Sequence, residues 1–413
     1  AHSQRLYLSL RPAELGSAQT RCGRMNSSPP RHQAIIGDGA TAAAFLASAD
    51  LRPGDALTLI GPAPGRFGAG RVYADHASHQ PWRFAYLLDR QNTTLGAGFA
   101  GWLAVNWPEL RQEIAVYQPQ HLDRWADSLS SGDFGAFAAP RALFGRYMAE
   151  QSRAWMAKLA DAGIEVQLIA GLVTDIGRQN AEFRVTLAGG EVLRADRVDV
   201  ATGGPGNQRF GSDAGPTAFT TLHGNEEAIA KVLQPGWDVT CLGASDDVLD
   251  VIHFLRAAMP GRMPNLHIIG DVAASGLERD PVFRALQGDD RLKVTEATVV
   301  WAYAEAAGKV RLRLRQSDGT SQEITVPLAL NTAGPGEQLN LDLMVSGLIA
   351  RGWLELDEER RAVSVGPGFS ARIDGLRYAS DAVGWLDGVP WRPQENDFES
   401  RVRQMRCDPA QMN

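Results

Sequence analysis

Residues 34–36 form a short unbroken apolar run, Ala34-Ile35-Ile36, that stops at Gly37-Asp38-Gly39 and resumes as Ala40-Thr41-Ala42-Ala43-Ala44-Phe45-Leu46-Ala47. An apolar run of that length without alternation predicts a strand buried on both faces, and its continuation predicts a helix starting after a glycine turn. Residues 56–60 predict a second buried strand, and the Gly/Pro-rich residues 61–70 a loop. Residues 140–162 have helical spacing, with Pro140 suited to the first turn. Residues 166–170 and the alternating 183–187 predict strands, with a hairpin turn at Gly189-Gly190. A further strand at 197–200 leads into Ala201-Thr202-Gly203.

The pattern then starts again. Residues 237–242 predict a buried strand, Gly243-Ala244-Ser245 a turn, 246–258 a helix and 266–269 the next strand. Residues 294–330 are strand-rich and run into Asn331-Thr332-Ala333-Gly334. Leu376 to Gly384 carries Ser380-Asp381 and is followed by a polar helix. Two aromatic-rich stretches, 82–86 and 99–107, receive no element. Strands alternating with helices predict an α/β fold built on parallel sheets. No repeat of solenoid period is present.

At 413 residues the chain exceeds one compact core and suits two domains. Its 44% hydrophobic and 22% charged content is that of an ordinary globular enzyme, and a net charge of −7 argues against non-specific nucleic-acid binding. No apolar run approaches the roughly 20 residues that cross a bilayer, so no membrane contact is expected. Cys22, Cys241 and Cys407 are scattered, with no disulfide framework and no CxxC, which fits a reducing, cytoplasmic setting. Residues 1–31 hold five arginines against Glu14 alone; they read as a transit-like or disordered tail, a tag, or sequence upstream of Met25, and stand outside the fold.

The chemistry begins at the first turn. Gly37-Asp38-Gly39-Ala40-Thr41-Ala42 is G-x-G-x-x-A between a buried strand and a helix, the form that binds a dinucleotide pyrophosphate. Gly37 permits the tight turn, Gly39 lets a phosphate approach the backbone, and Ala42 lets helix and strand pack closely. The helix start points N–H groups and partial positive charge at the anion. The turns at Thr202-Gly203 and Thr332-Ala333-Gly334 echo each other at strand ends. A second nucleotide turn at Gly243 and Ser245 lacks its second glycine and sets Asp246 and Asp247 at the helix start, where they would repel a phosphate. Asp271, after the next strand, would favour the free 2′-hydroxyl of NADH over NADPH. That site is either a modest NADH site or a degenerate structural one. His76 and His79, near Arg83, lack a third metal ligand nearby; they read as loop residues or as substrate contacts, and no metal is expected. His253, on the apolar helix, reads as core. There is no G-x-S-x-G and no P-loop.

Together, Gly37 to Ala42, the Ala201-Thr202-Gly203 turn and Ser380-Asp381 resemble the three landmarks of two-dinucleotide-binding-domain flavoproteins. More narrowly, Gly68-Ala69-Gly70-Arg71-Val72-Tyr73, Pro140-Arg141-Ala142-Leu143-Phe144-Gly145-Arg146-Tyr147 and Asn331 to Pro335 resemble the FAD-NAD(P)-binding family, distantly similar to N-hydroxylating flavin monooxygenases. The resemblance spans about residues 32–390. It implies two Rossmann-like domains, the second inserted into the first: an FAD domain over 32–215 and 330–405, and an NAD(P)-binding-like domain over 220–329. It implies FAD held by Gly37, Gly39, Ala40, Thr41, Ala42, Gly68, Arg71, Thr202, Gly203, Gly334 and Asp381, with Asp381 on the ribityl chain. The implied activity is that of an FAD-dependent oxidoreductase, foremost a monooxygenase using NADH or NADPH and a flavin hydroperoxide on a small polar substrate. A flavin oxidase or dehydrogenase reduced by its substrate, and a non-catalytic accessory protein, stay open. Two departures bear on this: Gly61-Pro62 stand where an acid usually takes the adenosine ribose, and Ser380 stands where glycine is usual.

Overall fold

The computed structural model describes residues 29–75, 97–203, 215–234, 236–259, 261–288, 291–305, 308–333, 342–357, 362–391 and 398–406. Contacts divide the chain into two units, Ala1–Gly70 with Gly145–Gly204 and Leu341–Asn413, and Arg71–Phe144 with Pro205–Asn340.

The chain begins with β1 (His32–Ile36), α1 (Ala40–Ala47) and β2 (Ala56–Gly61), then the long helices α2 (Ala97–Tyr117) and α3 (Arg141–Asp161). β3 (Glu165–Ala170) is followed by an antiparallel trio, β4 (Val173–Gln179), β5 (Glu182–Leu187) and β6 (Val192–Ala195), and by β7 (Arg197–Val200). The first unit's main sheet is parallel throughout, in the order Leu376–Tyr378, β7, β1, β2, β3. Its register aligns Ile36 with Ile60 and with Val200, so the three strand ends finish level. Ala34, Ile35, Leu57, Leu59, Val198 and Val200 are all buried, as expected where both faces of a sheet are covered.

The second unit repeats this plan. Its strands are β8 (Ala218–Phe219), β9 (Val239–Leu242), β10 (Leu266–Ile269) and β11 (Leu292–Thr295), with α4 (Asp247–Ala258) after β9. An antiparallel trio follows, β12 (Ala297–Glu305), β13 (Lys309–Gln316) and β14 (Ser321–Val326), and then β15 (Leu328–Asn331). The parallel sheet runs β11-β10-β9-β15-β8. The run β7-β1-β2-β3 of the first unit is thus matched by β15-β9-β10-β11, each with its trio inserted before the fourth strand in chain order. Val248, Val251, Ile252 and Leu255 of α4 bury their apolar face in this unit's core with Ile268 and Leu330.

The last segment returns to the first unit with β16 (Glu355–Leu356), β17 (Val363–Val365), β18 (Leu376–Tyr378), β19 (Val383–Leu386), β20 (Val389–Pro390) and α5 (Phe398–Arg406). α5 lies against α1, burying Val402 and Met405. Arg377 of β18 pairs through Nε and Nη2 with the two oxygens of the fully buried Asp199 of β7, at 2.5 and 2.9 Å. Gln33 of β1 also donates to Asp199, and Arg377 donates to the Met405 carbonyl of α5 at 2.8 Å.

Two expectations meet a different arrangement. The FAD domain is expected to resume at 330, whereas β15 (Leu328–Asn331) pairs with β8 and β9 in the second sheet. Residues 71–144 were read with the first domain; they group with the second unit, where Arg141 pairs with Asp250 and the Arg71 stem lies over Gly224. The aromatic stretch at 99–107 is part of α2, which carries Pro108 inside it.

Candidate dinucleotide site

The first turn has the geometry its sequence predicts. Gly37, at φ 118°, donates to the Ile60 carbonyl at 2.8 Å, and Ala201 donates to the Ile36 carbonyl at 2.7 Å. A Cβ on Gly37 would lie 2.1 Å from the Ala201 carbonyl oxygen, so backbone and packing both require glycine there. Gly39 is different. Its φ of −87° and ψ of −175° are ordinary extended values, and a Cβ there would meet only the Gly70 Cα at 3.9 Å. Among the described residues nothing around Gly39 needs a glycine, whereas a phosphate brought to the helix start would. Gly39 caps α1 with no side-chain hydrogen bond, leaving that end to backbone N–H groups. Ala42 is fully buried. Thr202 and Gly203 follow Ala201 and are exposed.

Further along, Thr41, Phe369, Ser380, Asp381, Trp391 and Arg401 line one cavity. Asp381, expected for the ribityl chain, is exposed, while Ser380 is buried and donates to the Tyr378 hydroxyl at 2.7 Å. Its oxygen also accepts from the Ala382 N–H at 3.0 Å. The serine in the glycine position is therefore absorbed by local bonds. Arg401, from α5, carries no local signature in the sequence, since its helix is polar and remote from the first turn. The guanidinium reaches the Thr41 hydroxyl at 3.3 Å.

The loop after β2 folds back onto the turn through one short 3₁₀ segment, Pro64–Arg66. Gly68 and Gly70 both donate to the Asp38 carbonyl, at 2.8 and 3.0 Å. Gly68, an expected FAD contact, is thus brought to the turn, and its own Cβ position faces the Met148 carbonyl and Ser152. Arg71 groups with the second unit instead. His76, His79, Arg83 and Gly334 lie outside the described residues.

The second turn reproduces the first in backbone and departs from it in charge. Gly243, at φ 114°, donates to Ile269 at 2.8 Å, and its Cβ would lie 2.1 Å from the Ala333 Cα. Thr332 donates its hydroxyl to the Gly243 carbonyl at 2.7 Å. The two echoing turns therefore occupy equivalent places in two like sheets. The Ser245 hydroxyl accepts from the Asp247 N–H at 3.3 Å, and Asp246 precedes α4. Asp271 spends its carboxylate on the Ala274 N–H, at 3.0 Å, capping the next short helix.

One turn into α4, the buried Asp250 pairs with Arg141 and accepts from His223 at 3.1 Å. Burial would raise the Asp250 carboxyl, but Arg141 and His223 beside it prevail and hold it at about 2. Asp247 also lies within ligand reach of His223 and Asp250. The fixed guanidinium of Arg141 already supplies the positive charge that a cation would bring. Burial pushes the Cys241 thiol up to about 12.

Residues 94–205 match the family described as FAD-NAD(P)-binding, a stretch that holds both the Pro140-to-Tyr147 segment and the Ala201 turn. No curated protein matches the chain. Among solved structures, thioredoxin reductase from T. acidophilum superposes with a TM-score of 0.50 at 12% identity, over 91% of this chain and 98% of that one. Thioredoxin reductase from Lactococcus lactis gives 0.51 at 11% identity, over 90% and 96%. The lysine monooxygenase NbtG from Nocardia farcinica gives 0.52 at 17% identity, over 91% and 99%. At these identities the likeness is one of fold. The chain has the fold of the two-dinucleotide-binding-domain flavoproteins, and its residues 94–205 match the FAD-NAD(P)-binding family.

Proposed function

We propose that the protein is an FAD-dependent oxidoreductase, and within that class a monooxygenase that acts on a small polar molecule. The observation that carries the FAD reading is Gly39, a glycine that neither its backbone nor its neighbours among the described residues require, at a helix start with no side-chain cap. Thr41, Asp381 and Arg401 lining one cavity supports it, with a cation for the pyrophosphate and an acceptor for ribityl hydroxyls. Bound FAD would supply two-electron redox chemistry and reactivity with oxygen. The protein's own share is to hold the phosphates at α1, fix the ribityl chain at Asp381 and keep water from the reacting face.

Cysteine chemistry separates this reading from dithiol exchange. The chain has three cysteines and no CxxC, and Cys241 is a buried thiol with a raised pKa, the opposite of an exchange nucleophile.

A second reading, an oxidase or dehydrogenase reduced by its own substrate, draws on the second turn. Asp246 and Asp247 stand where a nicotinamide dinucleotide would place phosphate, and Asp271 is engaged as a cap. Anaerobic mixing of the flavin-loaded protein with NADH and with NADPH decides between them. Bleaching of the flavin absorbance by either, NADH being expected to act faster, supports the monooxygenase. Failure of both, with and without candidate substrates, overturns it. Failure of the purified protein to take up FAD at all would overturn both enzyme readings.

A further inference from the structure

The missing acid after β2 has a replacement inside the first turn itself. In the usual arrangement, a carboxylate at the end of the second strand accepts the adenosine ribose hydroxyls. Here that position is Gly61, whose φ is not in the positive region, so the backbone does not call for glycine. A Cβ on Gly61 would fall 2.7 Å from the Cβ of Asp38, 3.0 Å from its Cγ and 3.2 Å from its Oδ2. The Asp38 carboxyl therefore occupies the space where a side chain from the end of β2 would begin. Gly61 is small because Asp38 is there.

Asp38 is also held in place. Its Oδ2 accepts from the Ala63 N–H at 2.8 Å, and its carbonyl takes Gly68 and Gly70. Its exposure is 9%, so its oxygens depend on donors within the site. A carboxylate has about four acceptor positions, and the Ala63 N–H fills one. The diol of a ribose offers two O–H donors.

We propose that Asp38 substitutes for the β2-end acid and accepts the adenosine ribose hydroxyls of FAD. This rests on the FAD reading above and names the residue that recognises the nucleoside end. On this assignment the acid comes from the neighbouring turn instead of the strand end, with its side chain beside the Gly61 Cβ position.

The test is FAD binding followed by flavin fluorescence, with ADP and 2′,3′-dideoxy-ADP as competitors, on the wild type and on Asp38→Asn. Asparagine keeps an acceptor for Ala63 and removes the charge. The expected result is about tenfold weaker FAD binding with an unchanged melting temperature of the unloaded protein. The preference for ADP over the dideoxy analogue should be present in the wild type and lost in Asp38→Asn. The double exchange Asp38→Gly with Gly61→Asp should restore both affinity and preference. Equal preference in wild type and Asp38→Asn, or unchanged FAD affinity, would overturn the assignment while leaving FAD binding intact. A wild type that takes up no FAD would overturn the FAD reading beneath it.

Discussion

Arg401 donates to the hydroxyl of Thr41 at 3.3 Å, bringing a guanidinium from α5 to the first turn of α1. The same helix sends Arg406 to the other end of α1, where it donates to the Ala47 carbonyl at 3.0 Å. A cation at the C-terminal end is favoured by the helix dipole; a cation at the N-terminal end is not. An anion bound at the start of α1 would lie within reach of this guanidinium. Arg401→Gln is therefore expected to weaken FAD binding about tenfold or more, with a steeper loss at low salt, and to leave melting of the unloaded protein unchanged. Fluorescence titration at two ionic strengths checks this.

The two glycines of the turn should part company on substitution. Gly37→Ala forces a Cβ into the Ala201 carbonyl and a strained φ, so it should cost several kcal/mol of stability. Gly39→Ala meets no such obstacle and should change stability by less than about 1 kcal/mol. It should nonetheless lower the flavin content of the purified protein. Melting curves and flavin-to-protein absorbance ratios, taken together, would distinguish the two.

The Asp199–Arg377 pair is a structural device. Burial would raise the Asp199 carboxyl, but Arg377, Arg197 and the Gln33 amide hold it below the usual carboxylate range. Removing one partner strands the other, so Asp199→Ala should destabilise the protein by about 3–5 kcal/mol in urea titrations. The stability tied to the depressed Asp199 pKa is present above the unfolded carboxylate value and is lost only as pH falls below it.

Histidines set a milder acid limit. Burial holds His121 and His253 at about 4, against 6.5 for an unperturbed side chain. Both are neutral in the folded protein and take up protons on unfolding. Their contribution is complete above pH 6.5 and declines as pH falls toward 4, by about 2 kcal/mol per histidine at pH 5. Denaturation midpoints at pH 7 and pH 5 should show this drop, and His253→Gln should flatten it.

Legibility in the sequence followed locality. β1, Gly37 and α1 can be read because an apolar run, a glycine and a second apolar run lie side by side in the chain, and the structure has them where the pattern places them. β15 has an equally clear local pattern, yet nothing local tells that its neighbours are β8 and β9, since sheet partners are chosen across long separations. α2 is not legible locally because aromatic residues and Pro108 dilute its helical signal. Arg401 and Asp38 have no local signature at all. Their meaning comes from residues 360 and 23 positions away that they meet only in the folded protein.

The late arrival of β18 and α5 has a consequence for how the protein is made. The first unit's sheet receives its fifth strand, and the partner that neutralises Asp199, only after the second unit has been synthesised. During translation the glycine turn emerges early, before Arg401 and before the Arg377 that completes the Asp199 network. Truncation before residue 376 should therefore yield protein whose first sheet lacks its edge strand.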